Sequence, residues 1–490
     1  MRRKGFYPGF IATSGAMLLM AGCMYSPSKY KPPVVPELKQ SDSWSTKPAG
    51  GETTSPADDA MLSQWWSVFG DPELTSLEER ALKSNLDLRT AQIAIVQAQA
   101  NLDSSKGNLY PTASVNVGSG YTRSETPRSS PNASAPGGGT FVSNGMTVSG
   151  QNNGGIQASY TPDLYGGIRS GVAASQASLE SKQESLRNTM VTLTAQLATY
   201  YVNVRSYQAQ LATTRDNLVK YKETYDMTKE KNEAGLSTEL DVEQALQTVD
   251  ATEAQIPSLE TSLQQTYNSI AILLGQKPGA VDAELTEVKP VPKAPASVAV
   301  GIPADMIRRR PDIRSAERQY KAQWMQVGVA KANLWPSFTI GGSITDNAIS
   351  FGDVFFAAAQ VSQSVTGSLQ ATIFNRRQLN AQVHLQKATL EQMEVSYEST
   401  ILSAFQDVEN SLKSYSAEQD RRKSLADSAT LAERNADMSR ELYAAGLKDF
   451  LTVLDAERSE LSAQSSLVQS DASIATDLIS LYKAMGGGWK

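Results

Sequence analysis

The sequence predicts a mainly α fold with a membrane-crossing β part, in two tandem repeats of helix, two strands and a long helical hairpin. Three observations carry it. The first is repetition. ELYAAGLKDFLTVLDAER (Glu441–Arg458) answers EKNEAGLSTELDVEQALQ (Glu230–Gln247), with Gly235/Gly446, Leu236/Leu447, Leu240/Leu451, Val242/Val453 and Ala245/Ala456 in step at an offset of 211. NLDLRTA (Asn85–Ala91) answers RPDIRSA (Arg310–Ala316), and NLYP (Asn108–Pro111) answers NLWP (Asn333–Pro336), both at 225. An internal repeat of this length fixes architecture before local detail does. The second observation is a change of period after each proline, and the third is two long runs without proline between the strands and the matching Gly-Leu pairs.

Element by element, the first helix of each half is expected at about Pro72–Lys106 and Asp312–Asn333, each ending because the residue before proline is pushed out of the helical region. TASVNVGSGY (Thr112–Tyr121) then sets Ala113, Val115 and Val117 on one face and Ser114 and Asn116 on the other. SVTGSLQATIF (Ser364–Phe374) sets Val365, Leu369, Ala371 and Ile373 on one face. Period two is a strand signal. SETPRSSPNASAPGGG (Ser124–Gly139) reads as the loop of the first strand pair, and Asp346–Asp353 as a shorter loop in the second. Helices over Ile168–Asn232 and Leu379–Ala445 follow, the first roughly 98 Å long at 1.5 Å per residue. Gly235 and Gly446 are expected as left-handed caps, and return helices run to about Leu274 and Ala484. Pro257 should bend the first return helix, and the second has no equivalent. Apolar spacing is heptad-like but sparse, which suits helices packed as an extended curtain or as coiled-coil pairs, wet on one side.

The first 23 residues stand apart. Arg2, Arg3 and Lys4 precede a short apolar run, Ile11–Met20, and then Ala-Gly-Cys. This reads as a secretory signal peptide. LMAGC resembles a bacterial lipobox, which makes Cys23 the expected lipid attachment site, and Met24 in place of Asp favours the outer membrane. A single lipidated residue tethers a chain without spanning the bilayer. Residues 23–60 read as a lipid-anchored extended linker rich in Pro, Ser, Thr and Lys. The boundaries are therefore 1–22 signal peptide, 23–60 linker, 61–280 first repeat, 281–305 inter-repeat segment and 306–490 second repeat.

Composition removes whole classes of function. One Cys and one His leave no zinc, haem or thiol site. His384 sits in a helical pattern and is expected to be structural or at the surface. A net charge of −6, with no basic run among aromatics, argues against nucleic acid. The acidic residues are scattered along helices as solvated faces, with no phosphate-binding Gly loop, so neither an enzyme nor an internal energy source is expected. No cofactor is expected beyond lipid on Cys23.

Four strands of about ten residues are long enough to cross an outer membrane, but four leave open edges, which hydrocarbon does not tolerate. The barrel must be shared. Two chains give eight strands and a filled interior, and three give twelve and a lumen. Helices of this length exceed the roughly 30 Å hydrocarbon core and would project into the periplasm.

QWWSVFGDPELTSLEERALKSNLDL (Gln64–Leu88), IPADMIRRRPDIRSAE (Ile302–Glu317), NLWPSF, the Gly-Leu tips and the closing AMGGGW (Ala484–Trp489) resemble the outer membrane factor, or TolC-like, family, in the lipoprotein branch serving resistance-nodulation-division efflux systems. The resemblance implies a homotrimer: a 12-stranded β-barrel continuous with a 12-helix periplasmic α-barrel. It implies an exit duct of a tripartite efflux pump, with a periplasmic adaptor and a proton-driven inner-membrane pump as partners. The alternative is the duct of a type I protein secretion system. It further implies a gate at Leu451, Asp455 and Arg458, and adaptor contacts at Gly235, Leu236, Gly446, Leu447 and Lys448. Physically, Leu451 and Asp455 lie four apart on one helix face, so each makes its own layer of a constriction. A Leu ring excludes water and an Asp ring favours cations. The plain alternative for Asp455 and Arg458 is a surface ion pair, and for the tip glycines a helix stop. Asp312 after Pro311 reads as a folding signature at a helix start.

Overall fold

The computed structural model describes residues 30, 62–130, 141–294, 309–348 and 360–489. Cys23, the signal peptide and the linker therefore lie outside the described residues, apart from Tyr30. A 3-10 turn at Trp65–Phe69 leads into α1 (Pro72–Ser84) and α2 (Leu86–Gly107), then β1 (Thr112–Ser130) and β2 (Phe141–Tyr160). The first hairpin is α3 (Gly167–Glu233) returning through α4 (Glu239–Glu253) and α5 (Gln255–Leu273), followed by the single turn α6 (Asp282–Leu285). The second half is α7 (Pro311–Ala332), β3 (Ser337–Ala348), β4 (Gln360–Gln370), α8 (Arg376–Ala444) and α9 (Phe450–Ala484).

The expected order is present, with four differences. The first helix is not continuous to Lys106. Asn85 ends α1 in an extended conformation and caps α2, its Oδ1 accepting from Asp87 N at 2.8 Å and Leu88 N at 3.0 Å. Asn is among the strongest caps, so a helix stop and start inside NLDL costs little. The first strand pair is also longer than ten residues, at 19 and 20. β1 runs to Ser130 through a segment expected as loop, because cross-strand pairing with β2 satisfies its backbone all the way to Ser130↔Phe141. In the other direction β4 stops at Gln370, so Ala371 and Ile373 lie beyond it. The bend near Pro257 is a break at Ala254, which places the proline in the first turn of α5. Proline has no N–H to lose there.

Contacts divide the chain into two compact units, each drawing on both repeats. In the first, the four strands form one antiparallel sheet in the order β1-β2-β3-β4. Register places Val115, Ile156 and Ile344 across from one another, with Phe338 opposite Leu369 and Gly342 opposite Val365. Opposed residues share a face, so one face carries Val115, Val117, Ile156, Ile344, Val361, Val365 and Leu369. The other carries Ser114, Asn116, Gln157, Thr345, Ser364 and Thr366. Val115, Tyr121, Val365 and Leu369 are 71–87 % exposed. Among the described residues no helix is long and apolar enough to cross a membrane.

The second unit holds the main core, where Trp65 stacks on Tyr482 with centroids 5.5 Å apart. The closing glycines fit this packing. A Cβ on Gly487 would lie 3.0 Å from both Leu62 O and Trp65, and Gly488 N donates to Leu62 O. Arg187 and Arg314 sit over the Trp489 ring. Arg310, at the head of RPDIRSA, pairs with Asp312 (2.7 Å) and Asp407 (3.1 Å) and donates to Ala484 O at 2.9 Å. The motif thus ties α7 to α8 and to the end of α9.

Candidate functional site: the hairpin tips and the face of α9

Both tips are built by the same device. Gly235 has φ +76° and Gly446 φ +73°. Leu236 N reaches back to Lys231 O and Leu447 N to Leu442 O, each at 2.8 Å, while the glycine N–H groups bond to Asn232 O and Tyr443 O. This double return bond satisfies carbonyls left open at the helix end and needs a left-handed residue. Leu236 and Leu447 are then left 78 % and 71 % exposed. Lys448 is exposed beside Leu447. The five tip residues expected as adaptor contacts thus form two short, water-facing turns.

The starts of the return helices differ. Thr238 and Asp241 form a reciprocal capping box on α4. Slight burial pushes the Asp241 carboxyl up, but the backbone and hydroxyl bonds from Thr238 and the Ser237 hydroxyl bond outweigh it and hold it below its usual value. α9 is capped by Asp449 alone, which accepts from Thr452 N at 3.0 Å and from the Thr452 hydroxyl. Those bonds hold the Asp449 carboxyl low. Tyr443 joins the two hairpins. Lys231 donates to its carbonyl and lies 4.1 Å over its ring, and its hydroxyl lies 3.2 Å from that of Thr228. Tyr443, Phe450, Val453, Leu454 and Ala245 close a small apolar cluster beneath the tips.

On α9, Leu451, Asp455 and Arg458 fall at i, i+4 and i+7 and share one exposed face. Arg458 does not simply turn back on Asp455: its guanidinium donates to Thr248 Oγ1 on α4 at 3.2 Å. The opposite face is buried, by Val453, Leu454, Glu457 and Glu460. Reading the sequence did not single out those two acids. Extending the core stripe from the tip, through Phe450, Val453, Glu457, Glu460 and Gln464, puts acids where apolar residues belong, and that was the available signal. His384 lies exposed on α8.

The model of the outer membrane efflux protein family matches residues 77–276 and 302–487. The toluene efflux pump outer membrane protein TtgC of Pseudomonas putida is 31 % identical over 482 residues, covering 96 % of this chain and 94 % of that one. The pyoverdine export outer membrane protein OpmQ of Pseudomonas aeruginosa is 30 % identical over 476 residues, covering 97 % and 96 %. Among solved structures, the outer-membrane channel OprN superposes with a TM-score of 0.80 at 28 % identity, covering 95 % of this chain and 98 % of that one.

Proposed function

Because the chain belongs to the outer membrane efflux protein family and is an outer-membrane efflux channel protein, we propose that three copies close one barrel and form the passive exit duct of a tripartite pump. The observation that carries this is the two-faced sheet. One face is apolar and the other polar, as a wall between lipid and a wet lumen requires. β1 and β4 are its edges within one chain. An edge inside hydrocarbon leaves backbone groups unpaired, so β4 of one copy pairs with β1 of the next. Three copies give twelve strands, enough for an open lumen.

In this arrangement the Leu451 and Asp455 faces of three α9 helices meet on the axis as the periplasmic gate, with Arg458 held back by Thr248. The turns Gly235–Leu236 and Gly446–Leu447–Lys448 receive the periplasmic adaptor, whose own partner is a proton-driven inner-membrane pump. Cys23 carries the lipid. The cargo is small toxic compounds, and the pump selects them: toluene and pyoverdine, named for two relatives of nearly equal similarity, share little chemistry.

The test is to tag the C-terminus, cross-link in cells, extract the outer membrane and identify what accompanies the chain. A trimer with an adaptor and a proton-driven pump is the expected result. A trimer with an ATP-driven transporter would instead make it a type I secretion duct, and a monomer would remove the shared barrel.

A further inference from the structure

Behind the exposed face of α9 lies a charged cluster that the duct itself does not require. Glu457 and Glu460 are 2 % and 0 % exposed. Carboxylates so far from water are costly unless paired. α3 supplies most of the pairing. Thr224 Oγ1 donates to Glu457 Oε1 at 2.6 Å, Lys220 Nζ to Glu460 Oε1 at 2.7 Å, and the Tyr221 hydroxyl to the Glu457 carbonyl at 2.9 Å. Asp216 stands 3.5 Å from Lys220. α8 supplies Arg440, 3.8 Å from a carboxylate oxygen of each acid and also paired with Asp437. α4 contributes Thr248, which holds Arg458.

The two acids are not equally compensated. Glu460 has a direct ammonium partner. Glu457 has a neutral hydroxyl and a share in a more distant guanidinium. Burial therefore pushes the Glu457 carboxyl up to about 7, against the Thr224 bond and the Arg440 charge and with help from Glu460.

We propose that Glu457 is a proton-responsive latch on the gate helix: packed against α3 and α8 it takes up a proton, and when α9 swings away and wets it the proton leaves. The proposal rests on the reading of Leu451, Asp455 and Arg458 as the gate. Its direction follows from linkage. The packed state binds the proton more tightly than a wetted carboxyl with its ordinary value of 4.5. Packing is therefore most favoured below that value and loses its advantage as pH rises through about 7. Acid tightens the latch and base loosens it. A two-state equilibrium with these limits shifts on the order of tens-fold between pH 5 and pH 8.

The full-length channel in planar bilayers, recorded from pH 5 to pH 8, tests this, with hydrogen exchange of the 457–464 amides, corrected for intrinsic rate, as a second readout. The open fraction of the unaltered protein should rise tens-fold from acid to base. Glu457→Gln, which mimics the protonated carboxyl in size and charge, should stay at the acid level throughout. Thr224→Val removes a donor that favours the carboxylate and should move the midpoint upward. A flat profile in the unaltered protein, or a normal one in Glu457→Gln, overturns the latch. Should Glu457→Gln fail to assemble, an unmoved midpoint in Thr224→Val overturns it equally. Asp455→Ala separates the two readings. If it leaves conductance unchanged while exchange still follows Glu457, the gate assignment fails and the latch on α9 stands.

Discussion

In the first half of the chain the return of the hairpin is two helices, α4 and α5, separated at Ala254; in the second it is one helix of 35 residues, α9. The positions that agree between them, the tip glycine with Leu, Val and Ala, build the same turn and the same packed stripe. The positions that disagree differ mostly in charge, and the two helices place it differently: α4 has Glu239, Asp241 and Glu243 where α9 has Phe450, Thr452 and Leu454. Gln244 and Gln247 stand where α9 has Asp455 and Arg458, and Val249 is buried where α9 buries Glu460. What the duplication kept is the turn and the packed stripe; both returns diverged in charge, and α9 alone placed acids in the buried stripe, at Glu457 and Glu460.

The largest effect expected from that contrast is on conductance. Asp455→Ala should raise single-channel conductance several-fold in planar bilayers by removing a charged layer from the proposed gate, while Gln244→Ala at the matching position should change nothing. Equal responses would return the gate to both return helices.

Proline sharpens the contrast at the level of stability. Val468 is the residue of α9 that corresponds to Pro257. Val468→Pro removes a hydrogen bond from a helix interior and should cost about 3 kcal/mol or more. Pro257→Ala, at a first turn that has already adapted, should stay within about 1 kcal/mol. Thermal unfolding of the extracted protein compares them, and similar losses would mean that the break at Ala254 has another cause.

A third contrast is between buried acids. Those on α9 are partnered, but Glu78 on α1 is fully buried and neither carboxylate oxygen has a hydrogen-bond partner among the described residues. Burial holds its carboxyl well above the usual range. The folded chain therefore keeps this proton when the unfolded chain has lost it. The contribution is most favourable below the ordinary carboxylate range and is lost as pH rises. Glu78→Leu should stabilise the protein by about 1–3 kcal/mol at neutral pH, and the gain should fade in acid. A constant gain across pH would place the benefit in packing alone.

These differences also show what can be read from sequence. Helices, strands and tips were legible because each depends on local signals: a proline stop, a period of two, a glycine with positive φ. The break at Asn85 is written in the NLDL/RPDIR pair, since the second copy starts a helix at the matching position. The length of β1 was not legible, because pairing with β2 carries Pro127 and the serines beyond the alternating run. At the site, Leu451, Asp455 and Arg458 were placed by resemblance and share a face as their spacing requires. Glu457 and Glu460 escaped because an acid on a long helix reads as solvated until the packing of α3 and α8 is known.

The smallest effect lies at the caps, and it sets the two tips against each other. On α4 the Thr238 hydroxyl accepts from Asp241 N at 3.3 Å while Asp241 accepts from Thr238 N at 3.0 Å. Thr238→Ala should cost about 1 kcal/mol, confined to that turn. On α9 the carboxylate of Asp449 is the whole side-chain cap. Both Asp241 and Asp449 are held low, so their contribution is present above the ordinary carboxyl range and lost as pH falls through the lowered value. When that happens Thr238 still accepts a backbone hydrogen bond, and nothing replaces Asp449. Hydrogen exchange followed into acid should therefore loosen residues 450–453 before residues 239–242. Simultaneous loosening would mean the box acts through Asp241 alone. With the proposed latch, acid frays the tip of α9 over a lower pH range than the one in which it tightens the packing one turn further along, so the two ends of this segment answer protons in opposite directions.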